Sequence, residues 1–247
     1  MNPKIFIIAR MGSSRLPGKV LMPLADKTVL GVLLERMRYV TQAVDIVLTT
    51  STDTQDDVIS DFGADHEVPV FRGSEADTVE RIYMAAKYHN ADPVVRVTGD
   101  CPLLEPKTVD AVIERISVSG ADYVSTDLTP TYPNGMGCDA FRFSALEKVY
   151  QLSKTLEMDK AWENIRSPEL GLNLDTIPGP SNANEYRFTV DTPEDLDLVQ
   201  RIAGELFPTS ATFSLNDILT LLESHPSWLE INAHIQQKTG PHSQKSA

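Results

Sequence analysis

Apolar positions along the chain repeat with two alternating periods. Residues 5–8 form an unbroken apolar run of strand length, while 28–39 (TVLGVLLERMRY) carries apolar residues at helical spacing with Thr28 placed as an N-cap. The alternation continues with strands at 45–49, 68–71, 93–97 and 122–125 and helices at 55–62, 75–88 and 107–116. Strands separated by helices of this length predict parallel βαβ units with helices over both sheet faces, an α/β Rossmann-like architecture.

The pattern changes after residue 126. "TPTYPNGMG" is dense in turn residues and leads into 138–143, which predicts an antiparallel excursion across 127–143. Helical patches follow at 144–152 and 158–165, a strand at 170–176, and a loop at "IPGPSNANE". A strand is expected at 186–190 and a helix at 193–206 opened by "DTPED", then helices at 214–222 and 228–235. With no internal repeat, one domain is expected over 1–238, followed by a polar, frayed tail at 239–247.

Composition narrows the partners. The 247 residues are 41% hydrophobic and 23% charged, enough for one sizeable core. A net charge of −13 argues against broad nucleic-acid binding and against an anionic membrane surface. No apolar run approaches the ~18 residues of a membrane span, and Arg10 interrupts the N-terminal run too early for a secretory signal. Cys101 and Cys138 are too few for a disulfide framework or zinc site. These features read as a soluble, cytoplasmic protein.

Against that acidic background, "ARMGSSRLPGK" (9–19) places Arg10, Arg15 and Lys19 at the exit of the first strand. Gly12, Ser13 and Ser14 let backbone N–H groups approach an anion and the cations neutralise it, although neither G-x-x-x-x-G-K-[ST] nor G-x-G-x-x-G is present. Ligands of open α/β sheets lie beyond the carboxyl ends of the strands. Two further strand exits carry carboxylates there: Asp100 in "VTGDCPL" and Asp191 in "FTVDTPEDL". Asp191 also reads as a helix N-cap and Asp100 as a turn former. Set opposite a phosphate loop, the pair suits Mg²⁺, which completes its shell with phosphate and water. His66, His89, His225, His234 and His242 are scattered away from these loops and read as structural or exposed.

"IIARMGSSRLPGKVL", "VRVTGDCPLL", "PNGMGCDAF" and "YRFTVDTPEDLDLV", in this order over residues 4 to 203, resemble the motifs of the CTP-dependent sugar cytidylyltransferases. The group typified by spore coat polysaccharide biosynthesis protein F, related to the CMP-Kdo and CMP-sialate synthetases, is the most similar. The resemblance implies a nucleotide-diphospho-sugar transferase fold, CTP as donor, a small acidic sugar as acceptor, and a homodimer built through 127–143. It implies that Arg10, Lys19 and Asp100 are catalytic and that Asp100 and Asp191 hold the metal. Ala9, Arg10, Met11, Gly12, Ser13, Ser14, Arg15 and Lys19 would bind the nucleotide, with Gly73, Ser74 and Asp77 from "FRGSEADTVERIY" toward the nucleoside. Arg187 and Asp139 are the acceptor-side candidates; Arg187 reads equally as a sheet-edge arginine paired with a surface carboxylate.

Departures from the group's pattern are local. Asn164 follows Glu163 where a histidine is usual, Asp139 stands for a glutamate, and Cys138 for an aliphatic residue. The expected reaction is attack of an acceptor hydroxyl on the α-phosphorus of CTP with release of pyrophosphate. A glycosyltransferase using a nucleotide sugar, or a non-catalytic nucleotide-binding protein on the same fold, are the alternatives. The cationic loop disfavours the first, and the retained aspartates disfavour the second.

Overall fold

A near-continuous apolar strand has to be covered on both faces, and the run at the N-terminus is. In the computed structural model, which describes residues 1–43, 45–154, 162–179 and 183–236, that run is β1 (Lys4–Ile8). It is followed by the short hairpin β2 (Pro23–Leu24) and β3 (Lys27–Thr28), α1 (Val29–Met37), β4 (Asp45–Ser51), α2 (Asp57–Asp65) and β5 (Val70–Gly73). Next come α3 (Thr78–Tyr88), β6 (Val94–Thr98), α4 (Pro106–Val118), β7 (Tyr123–Ser125) and β8 (Asp139–Phe141). The described chain then continues through α5 (Phe143–Ser153), β9 (Leu174–Thr176), α6 (Pro193–Leu206) and α7 (Leu215–Ser224). The tail at 239–247 lies outside the described residues, as do half of the expected 158–165 helix and the side chains of Glu163 and Asn164.

Seven strands form one sheet in the order β5-β4-β1-β6-β8-β7-β9. β1 pairs parallel with β4 and β6, β4 with β5, and β7 with β9; β8 alone runs antiparallel to both of its neighbours, β6 and β7. The excursion therefore returns its strand to the interior of the chain's own sheet, where Ala140 and Phe141 are fully buried.

Alternation along β1 sorts the core. Ile5 and Ile7 join Leu33, Val95, Val112 and Ile116 on one face, and Phe6 joins Ile82, Val94 and Leu146 on the other. A third cluster (Val32, Phe188, Leu198, Ile202, Ile218) packs α6 and α7 beside α1. No described helix is long and apolar enough to cross a membrane.

Caps place the helix starts. Thr28 accepts the N–H of Gly31, Asp77 that of Glu80, and Ser214 that of Asp217. At α6 the cap is Thr192, in a capping box with Asp195, and not Asp191. That one-residue difference leaves the Asp191 carboxylate for other partners.

Two expected elements differ. Residues 186–190 join none of the sheet's strands; a single parallel bridge sets Arg187 against Asn134, the Phe188 N–H donates to the Asn134 carbonyl at 2.7 Å and the Val190 N–H to that of Asp100 at 2.8 Å. Its hydrogen-bonding groups meet a turn and a loop, so the apolar pattern buries without a ladder. The helix expected at 228–235 is a 3-10 turn, Pro226–Glu230, followed by further turns. The buried Asn232 amide there donates to the Arg187 carbonyl (3.0 Å) and Asp195 Oδ1 (2.9 Å), partners no helix supplies.

Arg36 ties α1 to the segment that follows Asp100. Fully buried, it donates to the carbonyls of Leu103 (3.1 Å), Leu104 (3.1 Å), Ala211 (2.5 Å) and Phe213 (2.8 Å). Burial lowers its pKa to about 10, so it remains charged at neutral pH. Arg36→Met is expected to strand these carbonyls and to cost at least about 3 kcal/mol in urea unfolding, since one unsatisfied buried acceptor alone costs ~1–3 kcal/mol.

Candidate active site

Ala9 closes β1, its N–H bonded to the Thr49 carbonyl at 3.0 Å. The chain then folds back on itself. Ser13 and Gly18 both donate to the Met11 carbonyl, at 2.9 and 3.0 Å, and the Met11 N–H donates to Oδ1 of Asp56 at 2.7 Å. Asp56 is itself buried and bonded to Ser51, so the loop is anchored to the exit of β4. Gly18 has φ +71°, a left-handed turn that glycine adopts without cost, and it delivers Lys19 into a short 3-10 turn. Arg10 is exposed and makes no ion pair among the described residues. The N–H groups of Gly12, Ser14 and Arg15 likewise bond no acceptor there.

Lys19 crosses to the two carboxylates. Its Nζ is bonded to Oδ2 of Asp100 and, at 2.7 Å, to Oδ1 of Asp191. Oδ2 of Asp191 takes Arg15 at 2.8 Å and Arg187 at 2.6 Å. Burial works against charging Asp191, but the Lys19 hydrogen bond and charge, with Arg187 and Arg15, hold its carboxyl below the usual range. Burial likewise opposes the Lys19 charge, and Asp100 and Asp191 together raise its pKa.

Behind them sits a network that the sequence does not announce. Arg187 is buried and donates to both oxygens of Asp195 (2.8 and 3.0 Å), while Asp195 Oδ2 accepts the N–H groups of Asp191 and Thr192, each at 3.1 Å. Arg187 thus stands behind Asp191, aligning it. Of the two readings held for Arg187, the ion-paired one fits, with buried carboxylates in place of a surface one.

A cleft of 320 Å³ is lined by Arg10, Gly12, Ser13, Ser14, Arg15 and Lys19 of the loop together with Asp100 and Asp191. Thr78, Arg81 and Thr98 also line it, and none was singled out from sequence. Gly73, Ser74 and Asp77 do not; they support Arg81. Asp77 caps α3, the Ser74 hydroxyl accepts the Asp77 N–H (3.0 Å), and the Ser74 carbonyl accepts Arg81 Nη1 (2.9 Å). Arg81 is 2% exposed, and its Nε has no hydrogen-bond partner among the described residues. The signal for it was an arginine inside the apolar face Val79–Ile82–Tyr83–Ala86, which periodicity treats as noise.

A second cleft of 440 Å³ adjoins the first through Thr98 and is lined by Arg96, Asp127, Asp139 and Asn184 among others. Asp139 is where the acceptor side was expected, but its carboxylate is 2% exposed and committed to Arg96, Tyr123 and Ser125. Burial raises the thiol pKa values of Cys101 and Cys138, consistent with small core fillers.

Asp100 and Asp191 converge on one ammonium group, so one cation can be shared between them. No group of three or more His, Cys, Asp or Glu among the described residues is placed to hold a metal ion by itself. Two carboxylates beside a phosphate-sized cleft fit a hard divalent ion that keeps water and phosphate ligands, and do not fit a tetrahedral zinc cage.

Residues 5–167 match the family model described as cytidylyltransferase. The spore coat polysaccharide biosynthesis protein SpsF of Bacillus subtilis is 32% identical, with 92% of this chain and 96% of that protein covered. A cytidylyltransferase of Leptospira borgpetersenii is similar in structure, with TM-score 0.85, 30% identity, and 97% of this chain and 100% of that one covered. A CMP:2-keto-3-deoxy-manno-octonic acid synthetase, solved in complex with CTP, shares the fold at TM-score 0.64 and 19% identity, over 83% of this chain and 99% of that one.

The Lys19 triad has a pH signature. Asp191 contributes stability that is full above its ordinary value of 3.8 and lost as pH falls through its depressed folded value. The Lys19 contribution is full below 10.5 and lost as pH rises through its raised value. Lys19→Met is expected to lower urea stability at pH 7 by about 1–3 kcal/mol, between exposed and fully buried pairs. The gap to the parent protein should close below pH 3.8 as Asp191 protonates through its depressed value.

Proposed function

The chain belongs to the cytidylyltransferase family and is a nucleotidyltransferase, and we propose that it transfers CMP from CTP to a hydroxyl of a small sugar. The observation that carries this reading is the convergence of Arg10, Arg15 and Lys19 with Asp100 and Asp191 on one 320 Å³ cleft. A glycosyltransferase acting on a nucleotide sugar would have less use for three cations and free loop N–H groups against a triphosphate.

In the transfer, the acceptor oxygen bonds to the α-phosphorus, its proton leaves to solvent, and the bond from that phosphorus to the bridging oxygen breaks. Pyrophosphate carries the departing charge. Arg10 and Arg15, with the N–H groups of Gly12 and Ser14, bind and orient the phosphates. Lys19 stabilises the charge that grows on the leaving oxygen, at the point where electrostatic preorganisation is worth most. Arg187 and Asp195 keep the Asp191 carboxylate aimed while this happens. Asp100 and Asp191 would hold Mg²⁺, which neutralises phosphate charge and acidifies the attacking hydroxyl when bound. Thr78 and Arg81 receive the nucleoside, Arg81 bringing its unpaired donor.

CTP as donor is supported by the CTP complex of the octonic acid synthetase. The Bacillus relative's name supports a place among polysaccharide precursors.

CTP, Mg²⁺ and a mixed sugar pool are expected to release pyrophosphate in a coupled assay. Lys19→Ala should lower kcat about 10²–10³-fold, the effect of removing one preorganised donor to a developing anion. Asp100→Asn should abolish metal-dependent turnover while circular dichroism stays unchanged. A Lys19→Ala protein as fast as the parent would take the loop out of the mechanism.

A further inference from the structure

Asp191 is aimed by residues that are themselves held from behind, and one of those holds comes from the C-terminal segment. After α7 the chain turns through Pro226–Glu230 and brings Asn232, 6% exposed, against the start of α6. Its amide nitrogen donates to two acceptors, the Arg187 backbone carbonyl at 3.0 Å and Oδ1 of Asp195 at 2.9 Å. Both protons of that nitrogen are thereby used.

The two acceptors belong to different pieces of chain. Arg187 lies in the segment that leads to Asp191, and Asp195 in the first turn of α6. One amide therefore fixes the backbone of the arginine relative to the carboxylate that its side chain grips. Arg187 Nε donates to Asp195 Oδ1 at 2.8 Å, and Nη2 is shared between Asp195 Oδ2 at 3.0 Å and Asp191 Oδ2 at 2.6 Å. Asp195 is fully buried and also accepts the Asp191 N–H. Asn232, Asp195, Arg187 and Asp191 thus form a continuous run of hydrogen bonds that ends on a carboxylate of the cleft.

The chemistry of an amide suits this place. A buried carboxylate needs donors, and an amide supplies one without adding charge. A cation there would compete with Arg187 for Asp195, and an apolar side chain would take one donor from each acceptor. Around Asn232 the segment is seated by apolar packing. Trp228, Leu229 and Ile231 lie partly buried against the α6–α7 cluster, and the Trp228 ring stacks on His225 with centroids 4.3 Å apart.

We propose that Asn232 is a positioning residue for the transfer: acting through Asp195 and Arg187, it holds Asp191 in the orientation that receives the divalent ion together with the triphosphate. This rests on the metal-dependent CTP reading given above.

Calorimetry with CTP, alone and with Mn²⁺, reads how far the ion tightens nucleotide binding, apart from turnover. Asn232→Leu, close in volume but without donors, is expected to reduce that tightening about tenfold while CTP alone binds as in the parent protein. In pyrophosphate release the same variant should lower kcat about tenfold, leave KM for the acceptor little changed and need about tenfold more Mg²⁺ for half-maximal rate. On an Asp191→Asn background it should add nothing to the loss of tightening, because its effect passes through that carboxylate. Trp228→Leu loosens the same segment without touching Arg187 or Asp195, and should lower the melting temperature with the Mn²⁺ effect unchanged. A folded Asn232→Leu protein with the parental Mn²⁺ effect overturns the inference. So does a full additional loss on the Asp191→Asn background, or an equal loss in Trp228→Leu. Should Asn232→Leu not fold, Asn232→Ser is read in the same way, and unfolding of both overturns the inference by leaving Asn232 a residue of the fold alone. A parent protein whose CTP binding owes nothing to the ion overturns the metal-dependent reading, and this inference falls with it.

Discussion

One ammonium group holds the site together. Lys19 reaches Asp100 and Asp191, which lie 81 and 172 positions away along the chain. Through it the loop after β1, the exit of β6 and the start of α6 become one charged surface. Without a cation between them, the two carboxylates would repel each other on the wall of the cleft. The fold must therefore keep a positive group there. A phosphate-bound metal is the other cation chemically suited to that space, so the same charge balance serves stability and, in the proposed reaction, nucleotide binding.

Support for this arrangement is layered behind it. Asp56 fixes where the loop begins by accepting the Met11 N–H, and Gly18 fixes where it ends by turning the chain into Lys19. On the other side, Asp195 accepts two backbone N–H groups and Arg187, which sets the direction of Asp191. Arg36 joins the chain after Asp100 to α1 and to the segment before α7. Asp56, Asp195, Arg187 and Arg36 are buried polar groups held by hydrogen bonds, the condition under which such groups rigidify a site and do not weaken it.

The two clefts have opposite electrical character, and this follows from which charges are already answered. In the first, Arg10 has no ion pair and the N–H groups of Gly12, Ser14 and Arg15 no acceptor among the described residues. In the second, Arg96 is neutralised by Asp139 while Asp127 remains open to the cavity.

Much of this was legible along the chain because it depends on local periodicity and short-range chemistry. The run at 5–8 became the central strand, Thr28 and Ser214 cap their helices, and the cationic loop with Asp100 and Asp191 stands at strand or chain exits facing one cleft. The α/β alternation and the chemistry of those exits can be read along the chain, since apolar spacing and capping report burial within a few residues. Tertiary structure alone decided that β8 enters the middle of the sheet, that 186–190 pairs with a turn, and that Thr192 takes the cap. It alone turned Arg187 inward to Asp195, brought Arg81 to the cleft of the cationic loop and left Asp127 as an exposed charge on the neighbouring cleft. Pairing of strands and of ions is a contest among distant partners, and its outcome is set by which groups packing brings within hydrogen-bond reach.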